Sequence, residues 1–118
     1  MELAERLVGD IAVISISETL TADDVPDLHR AMDAFLERGL KRAVFDLAEL
    51  KYIDSLGLGE LVACQLRAIK AGATLRLANA DLRVQDLLLI TRLVTVFDAY
   101  HSLPAALESF DDDTTTGF

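Results

Sequence analysis

The stretch that decides the reading is Asp46-Leu47-Ala48-Glu49-Leu50-Lys51-Tyr52-Ile53-Asp54-Ser55-Leu56-Gly57-Leu58-Gly59. Just before it, Arg42-Ala43-Val44-Phe45 runs into Asp46-Leu47 as a short apolar segment, suited to a buried central strand. Residues 48–53 read as a turn. Asp54-Ser55 then opens a helix whose apolar positions Leu58, Leu61, Val62, Leu66 and Ile69 recur at helical spacing until Gly72 ends it.

The same alternation extends in both directions. Upstream, residues 11–17 read as a strand with Ile14 and Ile16 on one face and Val13 on the other, and Gly9-Asp10 turns it back on residues 2–8 as a hairpin. Val25, Leu28, Met32, Phe35 and Leu36 form one face of a helix closed by Gly39. Pro26 falls in its first turn if Asp23 or Asp24 is the cap, and would break an internal bond if Thr21 were. Downstream, residues 74–78 are a strand, and Asp81 caps a third helix carrying Val84, Leu87, Leu88 and Thr91. Residues 95–99 are a weaker strand, and 103–110 a short helix with Pro104 in its first turn. This order predicts one α/β domain over residues 1–110, with an N-terminal hairpin, a mostly parallel sheet of four to five strands and about four helices. Residues 111–118, with Asp111, Asp112 and Asp113, are expected to be a flexible acidic tail.

A chain of 118 residues holds one core. Its net charge of −9 disfavours nucleic acid and anionic membrane surfaces and suits a basic protein partner. The single cysteine, Cys64, reads as a small packed hydrophobe, and His29 and His101 stand apart and read as solvated or locally bonded, so no metal or cofactor is expected. No leader pattern and no apolar run of about 18 residues appears, which makes the cytosol the expected location. A glycine-rich phosphate loop, paired catalytic carboxylates and a nucleophile–base arrangement are also missing, so the chain is not expected to be an enzyme.

Asp54-Ser55-Leu56-Gly57-Leu58-Gly59, set in this strand–helix order, resembles the STAS family, and within it the anti-sigma factor antagonists. Their signature here is a strand, a loop and an Asp-Ser-Ser/Thr-Gly-Leu-Gly stretch opening a helix. The resemblance covers residues 3–110. It implies a STAS domain that docks onto a GHKL-type anti-sigma kinase through Asp54, Ser55, Leu56, Gly57 and Leu58. Phosphorylation at the start of the helix would abolish that binding, with a phosphatase as a further partner. The alternative implied function is a soluble STAS subunit of an ABC-type lipid transport assembly.

Two positions depart from the pattern. Leu56 stands where the second hydroxyl residue, the usual phosphoacceptor, is found, so either Ser55 is the acceptor or the domain docks without that switch. Arg92 stands where antagonists often have glycine, so a longer or differently shaped end of the third helix is expected. The residues themselves leave further alternatives. Ser55 is a phosphoacceptor or the helix cap, and Asp54 is a partner contact or a loop carboxylate bonded to nearby amides. Gly57 and Gly59 mark close approach by the fold or by a partner. Leu56 is an exposed contact or folds into the core. Of Leu87-Leu88-Leu89-Ile90 at least one faces outward, so the run either extends a binding patch or thickens the core face, and the thickened core face is expected.

Overall fold

The computed structural model describes the backbone of residues 1–92 and 96–115, with side chains as far as Asp111. Gly9 takes φ +63°, and β1 (Glu2–Val8) folds back on β2 (Ile11–Leu20) as an antiparallel pair with Val8 opposite Ile11. Alternation along β2 sends Ala12, Ile14 and Ile16 into the main core and turns the buried Val13 to the other face.

Strand β2 is ten residues long, but β3 (Arg42–Asp46) pairs only with its stretch from Ile11 to Ser15. Past a register shift at Glu18/Thr19, where Glu18 takes φ +69°, the end of β2 pairs in parallel with β4 (Leu50–Ile53). Residues 50–53, expected as part of a turn, therefore form a strand and bring the sheet to six. Four residues carry too little alternation to be recognised alone, and only the unpaired end of β2 offers them a partner. β5 (Thr74–Ala78) pairs with β3, and β6 (Ala99–Tyr100) with β5, both in parallel, giving the order β1-β2-β3-β5-β6 with β4 beside the far end of β2. Of the weak strand expected over 95–99, Thr95 lies outside the described residues, residues 96–98 are not strand, and only Ala99 belongs to β6, which runs on to Tyr100.

A single 3-10 turn, Ala22–Asp24, leads into α1 (Val25–Glu37), and Asp24 occupies the cap position with Pro26 in the first turn. The helices α2 (Ser55–Lys70) and α3 (Leu82–Ile90) follow β4 and β5. α1 to α3 cover one face of the sheet, contributing Phe35, Leu61 and Leu88 among others to the main core. α4 (Leu103–Thr115) covers the other face, where Ala106 and Phe110 pack on Val44 and Ala78. Buried Arg76 holds its guanidinium carbon 4.4 Å from the centre of the Phe110 ring and donates to Ser109 Oγ at 2.9 Å. The backbone of α4 stays helical to Thr115, beyond the end at Phe110 suggested by the sequence, and residues 116–118 of the expected tail lie outside the described residues.

α3 stops at Ile90, and Arg92 takes φ +61°, the left-handed geometry that glycine usually supplies after a helix. A longer helix is not formed. The backbone turns as it would with glycine, and the arginine bears a strain of about 1 kcal/mol.

Candidate functional site

Strands β2, β3, β4 and β5 run parallel, so the loops leaving them gather at one edge of the sheet. The N-terminal ends of α1, α2 and α3 meet that edge, and each has an aspartate at its cap: Asp24, Asp54 and Asp81. Carboxylates suit these places because they accept from unpaired amides and oppose the positive end of the helix dipole. Burial works against ionisation of Asp24. The Thr21 amide, the amino group of Met1 and the Thr19 and Thr21 hydroxyls outweigh it and hold the carboxyl below its ordinary range.

Asp54 ties the corner together. One carboxylate oxygen accepts from the Gly57 amide at 2.8 Å and the other from the Ala22 amide at 3.2 Å, while its own amide donates to the Leu20 carbonyl at 3.2 Å. The start of α2 is thereby fastened to the segment leading into α1. Asp54 is thus the cap and Ser55 the first helical residue, which corrects the reading of Ser55 as cap. The Ser55 side chain is exposed and makes no hydrogen bond among the described residues.

Gly57 explains itself by what lies behind it. A Cβ there would sit 2.0 Å from the Leu20 carbonyl oxygen, so close approach within the fold requires glycine. Gly59 faces open space. Leu56 projects outward at 62% exposure, whereas Leu58 is 3% exposed in the main core. Of the five candidate contacts, Ser55 and Leu56 face out, Asp54 is half-buried and shapes the corner, and Gly57 and Leu58 face in. Leu58 is two positions from Leu56, about 200° around the helix, and cannot share its face. Leu58 is a core residue and not a contact.

Sequence periodicity also merges two faces of α2. Leu58, Leu61, Cys64 and Ala68 point into the core, whereas Leu66 and Ile69, expected beside them, are exposed. With Leu56 and Gly59 they form an outer stripe. On α3 the four-residue apolar run divides: Leu88 is buried, Leu87 is half-buried, and Leu89 and Ile90 are exposed. The expectation of a thickened core face there is overturned. Between α3 and β4 lies a trough of about 320 Å³ lined by Tyr52, Ile53, Val84 and Ile90 among others. Reading 48–53 as a turn hid it, although the run of Leu and Ile at 87–90 was a signal.

Behind α2 a polar cluster joins it to α1. Glu60, 8% exposed, approaches His29 Nδ1 at 3.3 Å, and Arg67 pairs with Asp33. His29 is locally bonded, as expected. Burial, aided by Glu60, pushes the Cys64 thiol up to about 12, which makes it the inert packed hydrophobe the sequence suggests. Among the described residues, no group of three His, Cys, Asp or Glu side chains could hold a metal ion. Among the described residues, no helix is long and apolar enough to cross a membrane.

The family described as Mlab, STAS domain, matches residues 3–98. The chain belongs to the STAS domain family. A Thermotoga neapolitana protein named as a candidate anti-sigma factor antagonist is 25% identical over 104 residues, covering 87% of this chain and 92% of that protein. BtrV of Bordetella bronchiseptica, named in the same way, is 27% identical over 112 residues, covering 93% and 95%. The STAS fold here superposes on a crystal structure of a candidate antagonist from Thermotoga maritima with a TM-score of 0.84 at 21% identity, covering 91% of this chain and 92% of that one. It superposes on the phosphorylated form of the Bacillus cell fate determinant SpoIIAA with a TM-score of 0.73 at 14% identity, covering 92% and 99%.

Proposed function

We propose that this STAS domain is an anti-sigma factor antagonist that docks onto a GHKL-type anti-sigma kinase in the cytosol, so that the sigma factor is released. The observation that carries this reading is the corner at the start of α2. Ser55 and Leu56 stand outward there on a backbone held rigid by Asp54 and by the contact of Gly57 with Leu20. A rigid, exposed apolar side chain beside a free hydroxyl suits docking rather than turnover. The names of the relatives support the same reading.

Control acts through Ser55 in this reading, because Leu56 has no hydroxyl. A phosphoryl group on Ser55 brings about −1.5 to −2 charges next to Asp54 and beside Leu56. The helix N-terminus tolerates the anion, while an apolar partner surface pressed on Leu56 does not. A phosphatase would restore binding.

Leu56→Asp tests the docking step. Its side chain lies in solvent, so melting should be nearly unchanged while affinity for a GHKL-type anti-sigma kinase of the same organism, measured calorimetrically, falls about tenfold or more. Unchanged affinity contradicts the reading. Incubation with that kinase and ATP should place phosphate on Ser55 by mass spectrometry and not on Thr19 or Thr21.

A second reading draws on Leu56 and on the family description. A subunit that docks permanently, as in an ABC-type lipid transport assembly, has no use for a phosphoacceptor at position 56. Co-purification with an ATPase and a permease, undiminished by Ser55→Glu, would favour it.

A further inference from the structure

The trough between β4 and α3 has a floor of Leu50, Ile53 and Val84, all buried, and walls that include Tyr52 and Ile90, 54% and 78% exposed. Its volume of about 320 Å³ is enough for one or two large side chains. Side chains this large left standing around an apolar floor mark a surface that meets something other than water.

The charges on the rim are not equivalent. Lys51 is paired with Glu18 at 3.6 Å, and Arg83, which also donates to the Lys51 carbonyl, is paired with Asp81 at 3.4 Å, so these charges cancel. Asp86 has no hydrogen-bond or ion-pair partner among the described residues. The uncommitted charge of the trough is therefore negative, in a chain whose net charge is −9.

We propose that this trough seats a segment of the partner protein that presents an aliphatic or aromatic side chain with a lysine or arginine beside it. The apolar group fills the trough and the cation meets Asp86. The inference rests on the docking reading above and names the chemistry of what docks. Burial of Tyr52 and Ile90 supplies affinity, and Asp86 with the field of the whole domain selects a basic segment over an acidic one.

Three synthetic peptides of about 15 residues test it: an amphipathic Leu/Lys helix, the same helix with Glu for Lys, and a Ser/Lys peptide without apolar residues. Titrated into the isotope-labelled chain, the Leu/Lys peptide should move the amide signals of Tyr52, Val84 and Ile90, and the other two should not. Ile90→Glu should abolish the response. Asp86→Lys should weaken the Leu/Lys peptide about fivefold or more and make the Leu/Glu peptide the better ligand. Equal responses to the Leu/Lys and Ser/Lys peptides would reduce binding to net charge and overturn the proposal, as would shifts confined to another face or unchanged affinity in both variants. The two readings fail separately. Kinase binding that survives Ile90→Glu but not Leu56→Asp sinks the trough and leaves the docking corner standing. Kinase binding that survives Leu56→Asp does the reverse, provided that the peptide results hold.

Discussion

A methyl group added at Gly57 would meet the Leu20 carbonyl oxygen at 2.0 Å, whereas one at Gly59 would meet nothing within 4 Å. Gly57→Ala is therefore expected to cost about 1–3 kcal/mol through displacement of α2 from β2. Gly59→Ala is expected to stabilise by about 1 kcal/mol through helix propensity alone. Urea unfolding of the two variants checks both signs, and equal effects would contradict the close approach at Gly57. Cys64 offers a second check. Its thiol is pushed up to about 12, first by burial and then by Glu60, so the folded chain should resist alkylation at about pH 8 and react only as it opens. Fast labelling of the native protein would place Cys64 at the surface. The glycine pair was visible in the sequence as one motif. Its division into a packing residue and an open one was not, because Leu20 lies 37 positions away.

Between secondary-structure elements, the caps do the joining. Asp24 stands at the cap position of α1 without bonding that helix's amides; its carboxylate instead accepts from the Thr21 amide and the Thr19 hydroxyl. Its folded pKa is depressed below 3.8. Its contribution is accordingly complete above that ordinary value and is lost as the pH falls through the lower folded one. Asp24→Asn should be less stable than the parent at neutral pH and converge on it in acid, read from urea midpoints between about pH 7 and 2. A constant difference across that range would remove the ionic part of the cap. Of the three cap aspartates, Asp81 is legible beside its helix pattern and Asp24 is one of two choices, whereas Asp54 is masked by Ser55, which the sequence offers as the cap in its place. β4 could not. A four-residue strand exists only because β2 outruns β3 and leaves its end unpaired, a fact that depends on the lengths of two other strands. The two apolar stripes of α2 likewise merge in the sequence, since spacing shows which residues share a face but not which face meets the sheet.

Taken as a whole, the domain is lopsided. Three helices cover one face of the sheet, and α4 alone covers the other, where Phe110 packs on Val44 and Ala78 beneath Arg76. Phe110→Ala should cost about 3–5 kcal/mol, since it opens a cavity and removes the ring against which a buried guanidinium rests. The loss should appear as a lowered thermal midpoint together with faster hydrogen exchange in β5 and α4. Exchange unchanged in both would mean that α4 contributes little to that face. The outer stripe of α2, the corner at Ser55 and Leu56 and the trough beside α3 all lie away from α4, so this variant separates stability from docking.

Local chemistry, written in the order of the residues, was enough for the strand–helix alternation, the hairpin at Gly9-Asp10 and the family, because each of these depends on neighbours a few positions apart. The sixth strand, the inward turn of Leu58, the outward turn of Leu66 and Ile69, and the trough walled by Tyr52 and Ile90 came only from the assembled fold. Each is a question of which distant backbone lies behind a residue, and periodicity is silent on that: burial is settled when β2, β4, α2 and α3 are brought together in space.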